Sequence, residues 1–288
     1  MRNTVLLFAL LLLAGSARAA DGEVQCEGID ALAVDMVEGA AKGGTRTISW
    51  TRSDDELSLS LKRGADERTF APPCALALYE ALAKRGEYMP ELVVPLPHQY
   101  IVPLATREAA ARRAIRDLDR YPESERNRVA AALVVAGYKV PVKVRFQKSD
   151  AFDQQTELEA AARQGDKAAL AEIERFVLCR GTFRPNGIEL LGYLNTKSAA
   201  DTAYELAQKC PLTLGAATAA LVRMKDPRAF KVLGKALETR SANDDLTRAV
   251  IESFTPALGS ELRRLAAKDV SRADDLLQRL KTAGVIKD

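Results

Sequence analysis

Apolar residues along this chain change their spacing several times, and each change marks a new element. From Val5 to Leu13 they run unbroken, behind Arg2 and ahead of Ala17-Arg18-Ala19 and the polar Asp21-Gly22-Glu23. The run is shorter than the roughly 20 residues of a membrane-spanning helix, and small side chains follow it as a signal peptidase requires. Residues 1–20 therefore read as a cleaved signal peptide without a lipid-accepting cysteine, and a periplasmic or secreted product is expected. Next, Ile29, Leu32, Ala33, Met36, Val37 and Ala40 recur at three and four, which predicts a helix over Gly28 to Lys42, ended by Gly43-Gly44. The period then becomes two. Ile48 and Trp50 share one face, Leu57, Leu59 and Leu61 alternate with Ser58 and Ser60, and Arg52-Ser53-Asp54-Asp55 joins them as a hairpin with Trp50 in its packing. Pro72-Pro73 ends it, and Cys74 to Arg85 returns to the helical period.

Met89 to Leu104 carries Pro90, Pro95, Pro97 and Pro103 among Val and Leu, which predicts extended chain lying on the protein. Helices are expected over Thr106 to Arg120 and Glu123 to Ala136. Val140, Val142, Val144 and Phe146 alternate with Pro141, Lys143 and Arg145, a strand that could add an edge to the hairpin. A domain boundary then falls near Lys148 to Ala151. The predicted fold is mainly α: a small α+β domain with a β-hairpin over residues 21–148, then an entirely helical domain over residues 152–288.

The helical part repeats. Leu194-Asn195-Thr196-Lys197, Met224-Lys225-Asp226-Pro227 and Phe254-Thr255-Pro256-Ala257 recur every thirty residues, each between two apolar helical patterns. Such a period means helical hairpins stacked side by side, and the charged final helix near Ser271 to Ala283 suits a terminal cap. The stretch Ala220 to Leu237 resembles the HEAT-like repeat family, in which Asp-Pro opens the second helix. Asp226 could cap that helix and Pro227 could stand at its first position without losing a hydrogen bond. The other copies depart from the motif: Thr196-Lys197 lacks the proline and Pro256 sits one position early. The resemblance implies an α-solenoid with an extended concave face, a kind of surface that binds other proteins.

Chemistry is sparse. The chain has 42 basic and 39 acidic residues, and removing Arg2 and Arg18 with the leader leaves it near neutrality, which gives no indication of a nucleic-acid binder. Cys26, Cys74, Cys179 and Cys210, an even number in an exported chain, suggest disulfides; of three possible connectivities, Cys26 with Cys74 and Cys179 with Cys210 keeps each bond within one half. Metal-ligand spacing and a glycine-rich phosphate loop are lacking, so no cofactor is expected. His98 is the only histidine, read as a surface or lining residue. Asp54-Asp55-Glu56 and Asp244-Asp245 read as turn and helix-start residues. Arg112, Arg113, Arg116 and Arg120 form a basic stripe: a solvated face, or alternatively a docking surface for an acidic partner or lipid headgroups. The reading that follows is a non-catalytic protein-binding scaffold or adaptor of the envelope. The alternative is a carboxylate-dependent hydrolase, which requires acids from both halves to converge on a pocket, at least one with a raised pKa. A third is a receptor for a small apolar ligand enclosed by the proline-rich segment.

Overall fold

A computed structural model describes residues 26–42, 46–53, 56–146, 155–177, 185–239 and 244–287. The expected leader over residues 1–20, Asp54, Asp55, the expected boundary at 148–151 and Cys179 lie outside the described residues. The fold is mainly helical with one small antiparallel sheet.

Helix α1 (Ile29–Ala41) buries Ile29, Ala33 and Met36, the face its spacing predicts. The Cys26–Cys74 disulfide is formed and ties its start to α2 (Pro72–Ala83). Between them the expected hairpin is a three-stranded meander of β1 (Thr47–Ser53), β2 (Glu56–Arg63) and β3 (Asp66–Phe70). Leu57, Leu59 and Leu61 of β2 are buried as their alternation requires. The third strand escapes a hydrophobic reading because Asp66, Glu67, Arg68 and Thr69 are exposed; its register, Arg63 opposite Asp66 and Leu59 opposite Phe70, follows from a tight turn in which Gly64 takes φ 60°. Charge along this edge discourages pairing with a further strand.

Two other expectations fail. The proline-rich segment is not extended. It forms two 3-10 turns, Pro90–Leu92 and Leu96–His98, that bury Leu92, Val93 and Leu96 completely. Proline near the start of a turn loses no hydrogen bond and has the required φ already set. Trp50, only partly buried, donates its indole N–H to the Glu91 carbonyl at 2.6 Å and so fastens the sheet to this segment.

Residues 140–146 do not join the sheet. They run beside α4 (Glu123–Val135) and α5 (Gln155–Arg163), where two amide side chains take the place of a partner strand. The Arg145 N–H donates to Asn127 Oδ1 at 2.7 Å while Asn127 Nδ2 donates to the Arg145 carbonyl at 2.9 Å. Gln164 does the same from the other side, accepting from Val144 N–H at 2.8 Å and donating to the Val142 carbonyl at 3.1 Å.

Two apolar cores result, and α5 serves both: Ala160 belongs to the first, Leu158, Ala161 and Ala162 to the second. The second core gathers α6 (Lys167–Val177), the 3-10 turn Pro185–Leu190 with α7 (Leu191–Leu194), α8 (Lys197–Lys209), α9 (Leu214–Arg223), α10 (Ala229–Glu238), α11 (Asp244–Glu252), α12 (Pro256–Ala266) and α13 (Ser271–Thr282). In the order of their packing, α7 lies on α9 and α9 on α11, while α8 lies on α10 and α10 on α12. The thirty-residue repeat is visible in the backbone. Gly165, Asn195 and Lys225 all take left-handed φ (75°, 48° and 54°), ending one helix, and the side chain of the next residue accepts a backbone N–H on the way into the following one. Asp166 accepts from Ala169 N–H, Thr196 from Ala199 N–H, and Asp226 from Arg228 N–H. In the last copy Thr255 caps Leu258 N–H with Pro256 at the first helical position, one residue early because this repeat is one residue shorter. Asp226-Pro227 differs from expectation in that α10 starts at Ala229, after a 3-10-like turn closed by the Ala229 N–H to Asp226 carbonyl bond.

The second predicted disulfide is not formed at its described end. Cys210 ends α8 with a free thiol, and a hydrogen bond with the Thr213 side chain holds its pKa below the ordinary range.

Candidate functional site

The arginine stripe is engaged within the protein. On α3 (Leu104–Arg116) Arg112 pairs with Glu108 one turn back, and Arg113 pairs with Glu80 of α2. Arg116 forks onto Asp117, and Arg120 stacks on Tyr88 and donates to its hydroxyl. Asp117 is buried, which alone would raise its pKa, but Arg116 and the Tyr79 hydroxyl outweigh that and hold it below the carboxylate range.

The densest chemistry lies where the two halves meet, on residues no motif singled out. Helix α5 carries Glu159 and Arg163 one turn apart. Glu159, 3% exposed, accepts from Tyr193 OH at 2.5 Å and Arg163 Nη2 at 3.1 Å, with Arg248 Nη2 at 3.3 Å. Burial opposes its charge, yet Arg248, Arg223, Arg163 and Tyr193 together keep it ionised below the ordinary range. Glu252, at the end of α11, receives Arg163 Nη2 on both oxygens at 2.8 Å, has Arg223 Nε at 3.7 Å, and accepts from Tyr100 OH of the first half at 3.4 Å. Arg163 and Arg223 also face the Tyr193 ring at 5.2 and 5.1 Å.

These residues occupy equivalent places in the repeat. Arg163, Tyr193 and Arg223 are thirty residues apart, and Glu252 stands one short, matching the short last copy. Glu159, Glu189 and Arg248 hold the place one turn earlier, which Ala219 fills in the α9 copy. A thirty-residue period in the polar residues just before each turn is thus the signal that marks the cluster. Helices packed in a row stand about 8–10 Å apart, so four successive hairpins in line, three spacings, would hold positions 163 and 252 roughly 25 Å or more apart. Their 2.8 Å contact shows that the ends of α5, α7, α9 and α11 draw together at this edge.

Glu189 is the odd member. Its Oε1 accepts from Gln155 at 2.6 Å, while Oε2 has no hydrogen-bond partner among the described residues, nor have Nε and Nη2 of buried Arg223. Burial, and then the Asp245 charge, push its carboxyl up to about 8.

Beside this cluster opens a cavity of about 180 Å³ lined by Arg52, His98, Gln99, Tyr100, Ile101, Asp245, Thr247, Arg248 and Arg279. His98 is therefore a lining residue, and enclosure followed by the Arg248 charge depresses its pKa to about 4, keeping it neutral. Asp245 lies in the first turn of α11, as read from sequence, and pairs with Arg248 at 3.2 Å. A second, more apolar groove of about 280 Å³ lies between the turns of successive hairpins, lined by Val222, Pro227, Ala229, Phe230, Thr255 and Leu258 among others; Phe230 is an exposed large apolar residue there.

No group of metal-binding side chains occurs among the described residues, and none of their helices is long and apolar enough to cross a membrane. Neither family models, nor curated proteins, nor solved structures match this chain.

Proposed function

We propose that this chain is an exported, non-catalytic binding module, a scaffold or adaptor of the bacterial envelope, whose second half is a tightly curled stack of HEAT-like hairpins that engages a protein partner. The observation that carries this reading is the apolar groove between the 226–229 and 253–258 turns. Its opening beside Phe230 suits an inserted aliphatic or aromatic side chain, and such pockets anchor protein interfaces. The leader over residues 1–20 and the Cys26–Cys74 disulfide support export.

The cluster chemistry weighs against the hydrolase alternative. That reading needs acids from both halves facing a pocket, whereas Glu159, Glu189, Asp245 and Glu252 all belong to the second half. Glu159 and Glu252 are held by arginines, and Glu189, the one with a raised pKa, is 1% exposed.

The test is in-cell crosslinking of the tagged full chain in its host with a photoreactive residue replacing Phe230, and separately at Leu212, which is exposed on the Pro211–Thr213 turn. One dominant envelope protein captured from position 230 and not from 212 is the expected result. Capture of the same set from both sites, or of nothing, refutes the groove as a docking site.

A further inference from the structure

We infer that the cavity between the halves is a binding site for a small neutral hydroxylated molecule, of the size of a single sugar ring. This site stands apart from the Phe230 groove. Its wall is assembled from four separated parts of the chain: the end of β1, the stretch after the second 3-10 turn, the first turns of α11, and α13.

The charged part of that wall is already engaged within the protein. Arg248 lies between Glu159 and Asp245, at 3.3 and 3.2 Å, and Arg52 and Arg279 each have partners of their own. An ion of either sign would give up its hydration to enter and would find no charge left free to receive it.

What the cavity leaves open is neutral hydrogen-bonding capacity. Among the described residues, the side chains of His98, Gln99 and Thr247 line the cavity and make no hydrogen bond to the rest of the protein. His98 is enclosed and uncharged, its pKa depressed to about 4 by burial and then by the Arg248 charge. A neutral imidazole, an amide and a hydroxyl each both donate and accept. A carboxylate or phosphate oxygen only accepts and an ammonium only donates, so either would leave half of that capacity unused. Hydroxyl groups match it, since each of them also does both. The Asp245 carboxylate and the Arg248 guanidinium, held side by side, add an acceptor and a donor at a spacing that suits two adjacent hydroxyls. Ile101 and the Tyr100 ring supply an apolar part of the wall for the C–H face of such a molecule. A wholly apolar ligand would strip water from His98, Gln99 and Thr247 and return no hydrogen bond.

The volume sets the size. About 180 Å³ corresponds to about six liquid waters at roughly 30 Å³ each, room for one hydroxylated six-membered ring and not for a chain of them. The position fits as well, because small-molecule sites favour the junction between structural units.

Saturation-transfer difference NMR on residues 21–288 tests this with D-glucose, D-galactose and myo-inositol as probes, and with acetate, tetramethylammonium and benzene as the anionic, cationic and apolar comparisons. Saturable transfer to at least one of the three hydroxylated probes, and to none of the comparisons, is expected. Thr247→Val and Gln99→Met keep the approximate shape of the wall and remove its hydrogen bonds. Each should weaken binding by about three- to tenfold, the scale of one neutral hydrogen bond. Ser260→Ala, which removes an exposed hydroxyl on α12 outside the cavity, should leave binding unchanged. Circular dichroism establishes that each variant is folded, and either cavity variant decides by itself if the other is not. Absence of transfer to all three hydroxylated probes, saturable binding of acetate in their place, full affinity in the cavity variants, or equal weakening by Ser260→Ala overturns the proposal. None of these results bears on the Phe230 groove, which the crosslinking experiment tests independently.

Discussion

Glu189 shows how one residue's surroundings can reverse its usual effect on stability. Its ordinary pKa is 4.5, and burial with Asp245 nearby raises it to about 8, so between those values the folded state holds a proton that the unfolded chain has released. Stability therefore falls as pH rises through that window and levels off above it. His98 acts in the opposite sense: its depressed pKa, about 4 against 6.5, makes stability fall as pH drops below 6.5. Above pH 6.5 the histidine adds only a small residual slope of opposite sign, about 0.4 kcal/mol in all, which fades by about pH 7.5. Urea denaturation at pH 6.5 and 8.5 should then show the native protein losing about 2 kcal/mol over the part of the window that remains, at 1.36 kcal/mol per unit. Glu189→Gln, which keeps the shape and cannot titrate, should show little of this loss; an equal decline in the variant would assign the slope elsewhere. The sequence offers no hint of this behaviour, because a glutamate between Ile188 and Leu190 looks like any helical glutamate until its carboxyl is enclosed.

At the scale of elements, local patterning was legible where burial follows one period and illegible where side chains replace backbone partners. The α1 face and the β2 alternation were read correctly from Ile29, Ala33, Met36 and from Leu57, Leu59, Leu61. Residues 140–146 carry an equally good strand pattern, yet their backbone groups are bonded by Asn127 and Gln164, two amides whose reach depends on how α4 and α5 are placed. Asn127→Ala and Gln164→Ala should each cost about 1–2 kcal/mol, since each leaves backbone groups to find water or remain unbonded. In native-state hydrogen exchange the Arg145 amide should open first in Asn127→Ala and the Val144 amide in Gln164→Ala. Equal protection of both amides in both variants would show that the segment is held by its apolar contacts alone. The helix turns make the complementary case. Thr196 and Thr255 each accept a free amide at a helix start, while Asp226 accepts the Arg228 amide in the turn just before α10. For that reason the repeat survives where the Asp-Pro motif does not.

Across the whole molecule, the expected division into two folding units is crossed at several points. Helix α5 contributes to both cores, Tyr100 reaches Glu252, and the left-handed turn at Gly284, just past α13, lies so close to α3 that an added Cβ would come within 2.6 Å of Leu104. Unfolding should therefore be a single event. Trp50, the only tryptophan, reports the first half, and far-ultraviolet circular dichroism is dominated by the helices of the second. The two signals should give one coincident transition in urea, and a separate, earlier tryptophan transition would establish independent halves. The sequence by itself determined the apolar faces of α1 and β2 and the thirty-residue period, since each depends on near neighbours in the chain; among three cysteine connectivities it could favour Cys26 with Cys74, and the structure forms that bond. Only the tertiary structure decided that Arg163 meets Glu252, that β3 and the 140–146 segment find the partners they do, and that Arg52, His98, Arg248 and Arg279 line one cavity. Polar contacts and cavities arise from distances between residues far apart in the chain, and an apolar period carries no measure of those distances.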